Sequence, residues 1–207
     1  MLNALILSFA LGFVTASPVG PVGLLCLRRT VTRGARTGLA SALGIALAYG
    51  FWSFAAVHGL VSLSGWVEQE ENLLQTVVGL FFLFYGVHAV FNTPNTRYHR
   101  LPGKGRAAEF LSTFLVVFLN PATFITFSAL FALFGIVHSD FGLDEAVAVA
   151  VAVFAGAAAF WLVVAHFLER VGGRTRDRLY DVLAHKSAYV IMLFGLGIVL
   201  YRLHDGV

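Results

Sequence analysis

The sequence predicts an all-α integral membrane protein: six transmembrane helices forming a 3+3 inverted repeat, with helices 1 and 4 broken by proline. Three observations predict it. The 207 residues are 58% hydrophobic and only 12% charged, with a mean hydropathy of +0.83; an ordinary soluble domain carries about twice that charged fraction. The few charges change sign from one linker to the next. Two proline interruptions, at Pro18 and Pro121, stand 103 residues apart inside apolar runs.

In chain order, the apolar segments run approximately over 2–27, 37–64, 73–91, 110–136, 143–168 and 187–203. A helix needs about 20 apolar residues to cross a bilayer, so each reads as one span. The chain reads as one transmembrane domain over 1–207, with repeat 1 over about 1–95 and repeat 2 over about 105–207. The first segment has no basic residue before its apolar run, which continues past Thr15-Ala16-Ser17 to Leu27. It is expected to remain as a span and not to be cleaved as a signal peptide.

Within that segment, Thr15 to Leu24 holds Pro18, Gly20, Pro21 and Gly23. Proline donates no N–H and its ring clashes with a carbonyl one turn back, so the helix must bend or split. The fourth segment repeats the event at Leu119-Asn120-Pro121-Ala122-Thr123. Three spans per half is an odd number, so the halves have opposite topology, and paired interruptions in inverted repeats mark a binding site. Glycine and alanine at spacing four, Gly34, Gly38, Ala42, Ala46 and Gly50, then Ala148, Ala152 and Gly156, predict close helix packing in the second and fifth segments.

Charge sets the orientation. Linkers one, three and five hold thirteen of the 14 Lys and Arg, including Arg28, Arg29, Arg33 and Arg36 in the first. Glu68, Glu70 and Glu71, then Asp140, Asp144 and Glu145, occupy the other two. The positive-inside rule places the basic linkers in the cytoplasm and both termini outside. Basic residues confined to short loops give no nucleic-acid-binding face. The single cysteine, Cys26, permits no disulfide within the chain.

Helix N-termini created at the breaks would offer N–H groups and a positive dipole end to a carboxylate or another anion. Ser17, Asn120, Thr123 and Thr126 add uncharged hydrogen-bonding groups there. Tyr49, Trp52 and Trp161 lie within spans, where core packing is the ordinary role and cavity lining the functional one. The candidate substrate-binding set is Ser17, Pro18, Gly20, Pro21, Tyr49, Asn120, Pro121, Thr123 and Thr126. No carboxylate falls inside a segment core, since Glu109 and Glu169 stand at cytoplasmic ends. His58, His88, His138 and His166 are scattered without metal-ligand spacing. No nucleophile–base pair and no phosphate-cradling glycine loop is present. The chain is therefore expected to be no enzyme and to use no metal, cofactor or ATP.

Pro18-Val19-Gly20-Pro21, with Leu24-Leu25 and the basic stretch Arg28 to Gly34, resembles the first-helix signature of the LysE/RhtB translocator family. The similarity extends through Gly38-Leu39-Ala40, Gly44-Ile45-Ala46, Asn120-Pro121, and Gly156 with Trp161. The resemblance implies a six-helix secondary carrier in the bacterial cytoplasmic (inner) membrane, exporting amino acids or related metabolites. It implies site roles for Pro18, Gly20, Pro21, Asn120 and Pro121. This chain departs from the family in two places. It has no acidic residue in Gly44 to Gly50, where many members carry one, and Ala122 stands where many have lysine. A cationic substrate would lack a counter-ion, so a neutral amino acid is expected. The partners are that small molecule, membrane lipid and, as an arrangement left open, a second copy of the chain. The rival functions are a metal or inorganic-ion transporter of the same superfamily, a membrane thiol electron carrier and a non-transporting membrane scaffold.

Overall fold

The computed structural model describes residues 1–18, 21–62, 105–137 and 141–170, with isolated positions between 76 and 91 and between 182 and 200. The expected third and sixth spans therefore lie almost wholly outside the described residues, as do the stretches 63–75, 92–104 and 171–181. The described residues form six continuous helices and no strand: α1 (Leu2–Thr15), α2 (Pro21–Arg33), α3 (Ala35–Ser62), α4 (Arg106–Phe118), α5 (Pro121–Leu133) and α6 (Leu143–Arg170).

The apolar run expected over 2–27 is divided between α1 and α2. Thr15 ends α1 by turning its hydroxyl back onto Leu11 O at 2.7 Å, and Ser17 N donates to Val14 O in a tightened last turn. Pro18 then forbids continuation. Proline suits the first position of a helix, where its missing N–H is no loss, and α2 starts at Pro21. Arg28, Arg29 and Arg33, expected in a linker, are helical. Nothing breaks α2 before Gly34, whose φ of +90° suits only glycine and turns the chain into α3.

The same physics divides the fourth segment. Phe118 ends α4, Asn120 is extended at φ −94° and ψ 104°, and Pro121 opens α5. The two helices meet at 65°. Both α3 and α6 have 28 residues, about 42 Å at 1.5 Å per residue, which is enough to cross a bilayer.

α3 packs along α4 and α6, and α1 along α6. Small residues permit this approach. A Cβ on Gly12 would overlap the backbone of Val153, and one on Gly156 would overlap Phe9 O, so α1 and α6 touch main chain to main chain. Gly44 does the same for α3 against Phe110 of α4. Gly38, Ala42, Ala46 and Gly50 are buried as the spacing predicts, whereas Gly34 is an exposed turn. In α6 the buried face runs through Ala146, Val149, Val153, Gly156 and Ala157, leaving Ala148 and Ala152 half-buried. Steps of four drift by about 40° each around a 3.6-residue helix, which carries those alanines off the face.

The core forms two clusters. One joins Ala16, Leu24, Leu27, Ile45, Trp161 and Leu168. The other joins Leu11, Val57, Phe127, Phe131, Val149 and Val153. Large apolar side chains also face outward on the long helices, among them Leu47, Phe51, Val147, Val151, Leu162 and Phe167. An outer face of branched and aromatic side chains over helix contacts made through small residues is the arrangement lipid favours.

Candidate functional site

The two interruptions leave carbonyls at the ends of α1 and α4 without the N–H groups that a continuing helix would bring. In a hydrocarbon environment such oxygens draw further donors, and Val117 O already accepts Asn120 N at 3.2 Å. α3 supplies one to each break. Tyr49 Oη donates to Thr15 O at 3.3 Å, and Trp52 Nε1 donates to Val117 O at 3.3 Å. Residues three apart share a helix face, so one turn of α3 serves both breaks.

The aromatic contacts fix this arrangement. The Tyr49 ring meets Phe127 of α5 edge-on, with centroids 5.2 Å apart. Trp52 stacks on Phe118 at 5.8 Å and leans on Phe124 at 5.7 Å, filling the elbow between α4 and α5. Tyr49 packs against both core clusters. It stands between the two core clusters beside the first interruption, one turn of α3 from the Trp52 that reaches the second.

The other candidate residues are placed as follows. Pro18 is buried and lies on Gly23, where a Cβ would come within 2.6 Å of Pro18 Cα. Ser17 is half-buried. Gly20 lies outside the described residues, and Pro21 is the first residue of α2. Asn120 is the N-cap of α5: its Oδ1 accepts the Ala122 N–H at 3.1 Å, while its main-chain oxygen accepts from Thr123 N. Thr126 donates its hydroxyl to Ala122 O at 2.8 Å. Asn120 and Pro121 are exposed, and Thr123 and Thr126 are half-buried. The structure thus joins Tyr49 to the first break and, through Phe127, to α5, whereas the Asn120 oxygen and the Thr126 hydroxyl serve their own helix.

Two features escaped the sequence reading. The first is the role of Trp52 in the elbow. The second is an ionic cluster at the end where α2 and α4 meet. Glu109, 3% exposed, receives Arg29 Nε on Oε2 at 2.6 Å and Arg33 on Oε1. Arg29 also donates to Ser41 Oγ, Glu109 O and Ser112 Oγ. Thr113 Oγ1 bonds Ser41 O at 2.7 Å beside it. The signal was Arg29 and Arg33 at i, i+4, a spacing that puts both on one helix face. Arg106, three residues before Glu109 at the start of α4, belongs to the same end.

Among the described residues, buried polar groups with no hydrogen-bond partner include Ser8 Oγ, Ser53 Oγ, Ser128 Oγ and Trp161 Nε1. The indole belongs to the cluster that holds Ala16 and Leu24, on either side of the first break. A buried N–H without an acceptor is uncommon and demands a reason.

Apolar helices with lipid-type surfaces, two of them long enough to cross a bilayer, define an all-α membrane-embedded protein. The chain belongs to the LysE type translocator family, whose profile matches residues 13–202. No curated protein and no solved structure matches it. It is therefore an integral membrane translocator of small molecules, in the family that the Pro18–Pro21 and Asn120–Pro121 motifs resemble.

Proposed function

We propose that this translocator is a secondary carrier exporting a small neutral amino acid or a related metabolite across the bacterial inner membrane. Transport proceeds by alternating access about the two breaks. The chain is a 3+3 inverted repeat with both termini outside, and the substrate lies between the 15–21 and 118–121 interruptions. Its carboxylate is held at a half-helix N-terminus and by the Asn120 amide N–H, and its ammonium by freed carbonyls. The observation that carries this reading is the pair of bonds from one turn of α3, Tyr49 to Thr15 O and Trp52 to Val117 O. A single helix bonded to both breaks can transmit a change at one to the other. The unspent Trp161 N–H is a further donor for the ligand.

The charge distribution supports a neutral substrate. Among the described residues, the one buried carboxylate, Glu109, is committed to two arginines. A cationic side chain would enter the site without a counter-ion. The test is counterflow into proteoliposomes preloaded with unlabelled neutral, cationic or acidic amino acids. Exchange of one or more neutral amino acids, with lysine and arginine inactive, is expected. Preferential exchange of lysine would overturn the substrate assignment.

A further inference from the structure

We propose that the Arg29–Glu109–Arg33 triad is a charged latch, closing the end of the carrier where α2 meets α4 and opening once in each transport cycle. This rests on the carrier reading for its place in the cycle, while the latch itself is a property of α2. Four observations carry it.

α2 has only 13 residues, starts at Pro21 and ends against Gly34, where the chain turns into α3. Gly34 has a φ of +90° and open space where a Cβ would be, so rotation there meets no neighbour. α2 lies close along α3 but reaches α4 and α6 mainly through side chains. The polar part of that reach is the triad, in which each Glu109 oxygen takes a different arginine.

The Arg29 guanidinium is committed to Glu109, Ser41 and Ser112, so it is not held ready for a substrate carboxylate. Its partners come from α3 and α4, and it fastens α2 to both. An apolar contact at this place would separate only by exposing hydrocarbon to water. An ionic contact at the basic end can exchange its partners for water as the gap opens, so its attraction weakens as solvent enters. A carrier requires such a contact at the end that must open and reclose.

The chain holds its own reporter. Cys26 is the only cysteine, is 0% exposed, stands one turn before Arg29, and points its Sγ at Gly38 O, 3.4 Å away. Its reaction with N-ethylmaleimide measures how often α2 leaves α3 and α4. The experiment uses the whole protein in proteoliposomes. Glu109→Gln is expected to raise the Cys26 labelling rate by about tenfold, since a protected group reacts in proportion to its open population. Arg33→Gln keeps the Arg29–Glu109 pair and is the milder variant. It is expected to raise labelling severalfold at an unchanged melting temperature, and to alter neutral amino-acid flux per inserted molecule. Arg33→Lys, which keeps the charge opposite Glu109, should label at close to the wild-type rate.

Wild-type labelling in both single variants overturns the latch. So does faster labelling in Arg33→Gln that only tracks a fallen melting temperature, which makes the triad a structural pin. Altered labelling with unaltered flux in Arg33→Gln removes it from the transport cycle. A wild-type protein that moves no amino acid at all refutes the carrier reading and leaves the labelling result to judge the latch.

Discussion

Replacing Tyr49 by phenylalanine removes one oxygen beside the first break. The ring stays, and with it the edge contact to Phe127 at 5.2 Å. The lost interaction is the bond to Thr15 O at 3.3 Å. A neutral hydrogen bond of this kind contributes about 1 kcal/mol net. No volume is lost, so no cavity term is added. For a chain of this size, that lowers the melting temperature by about 2–4 °C. If the bond holds α3 to the first break in one state of the carrier and not in the other, the same 1 kcal/mol moves the ratio of the two states about fivefold. Thermal unfolding of the purified protein reads the first quantity. The half-saturating internal concentration in an efflux assay, normalised to inserted protein, reads the second. Tyr49→Leu, which also removes the ring, is the control and should lower stability further. Tyr49→Phe matching the wild type in both measurements would show that the bond couples nothing. Tyr49→Phe unfolding as readily as Tyr49→Leu would show that the ring geometry, and not the bond, has been misread.

Asn120→Ala removes the α5 cap and is expected to lower stability by about 1 kcal/mol. Asn120→Asp keeps an acceptor for the Ala122 N–H, so flux lost in both variants, read by efflux with thermal unfolding as the control, assigns the amide to substrate. Gly156→Leu drives a side chain into Phe9 O; it should prevent α1 from docking on α6, seen as loss of monodisperse protein on size-exclusion chromatography. Glu109→Gln leaves two arginines at a buried site and is expected to lower stability by about 3–5 kcal/mol, measured by denaturant unfolding. Arg33→Gln, which removes the more exposed partner, should cost far less in the same assay.

Residues that act alone were legible in the sequence. Pro18 and Pro121 interrupt their apolar runs as read, whereas Gly34, grouped by its spacing with the packing residues of α3, instead turns the chain at φ +90°. The apolar lengths of α3 and α6 needed only composition. What the sequence hid depended on pairing across long separations. Glu109 reads as a charge at a helix end until Arg29, 80 residues earlier, is found beside it. Trp52 reads as core until Val117 O lies under its N–H. Asn120 reads as a ligand donor from its place next to Pro121, and its oxygen proves to cap its own helix. Repeat spacing found the faces of α3, but the step of four drifted off the buried face of α6, where Val149 and Val153 make the contact.

The central claim is that the two breaks form one transport site. The direct test is efflux from cells preloaded with labelled neutral amino acids, comparing the wild type with Pro21→Ala/Asn120→Ala at matched membrane expression. Rapid, selective efflux of a neutral amino acid by the wild type, abolished in the double variant while the protein remains folded and inserted, is the predicted result. Equal efflux from both would contradict the claim and place the substrate path elsewhere in the bundle.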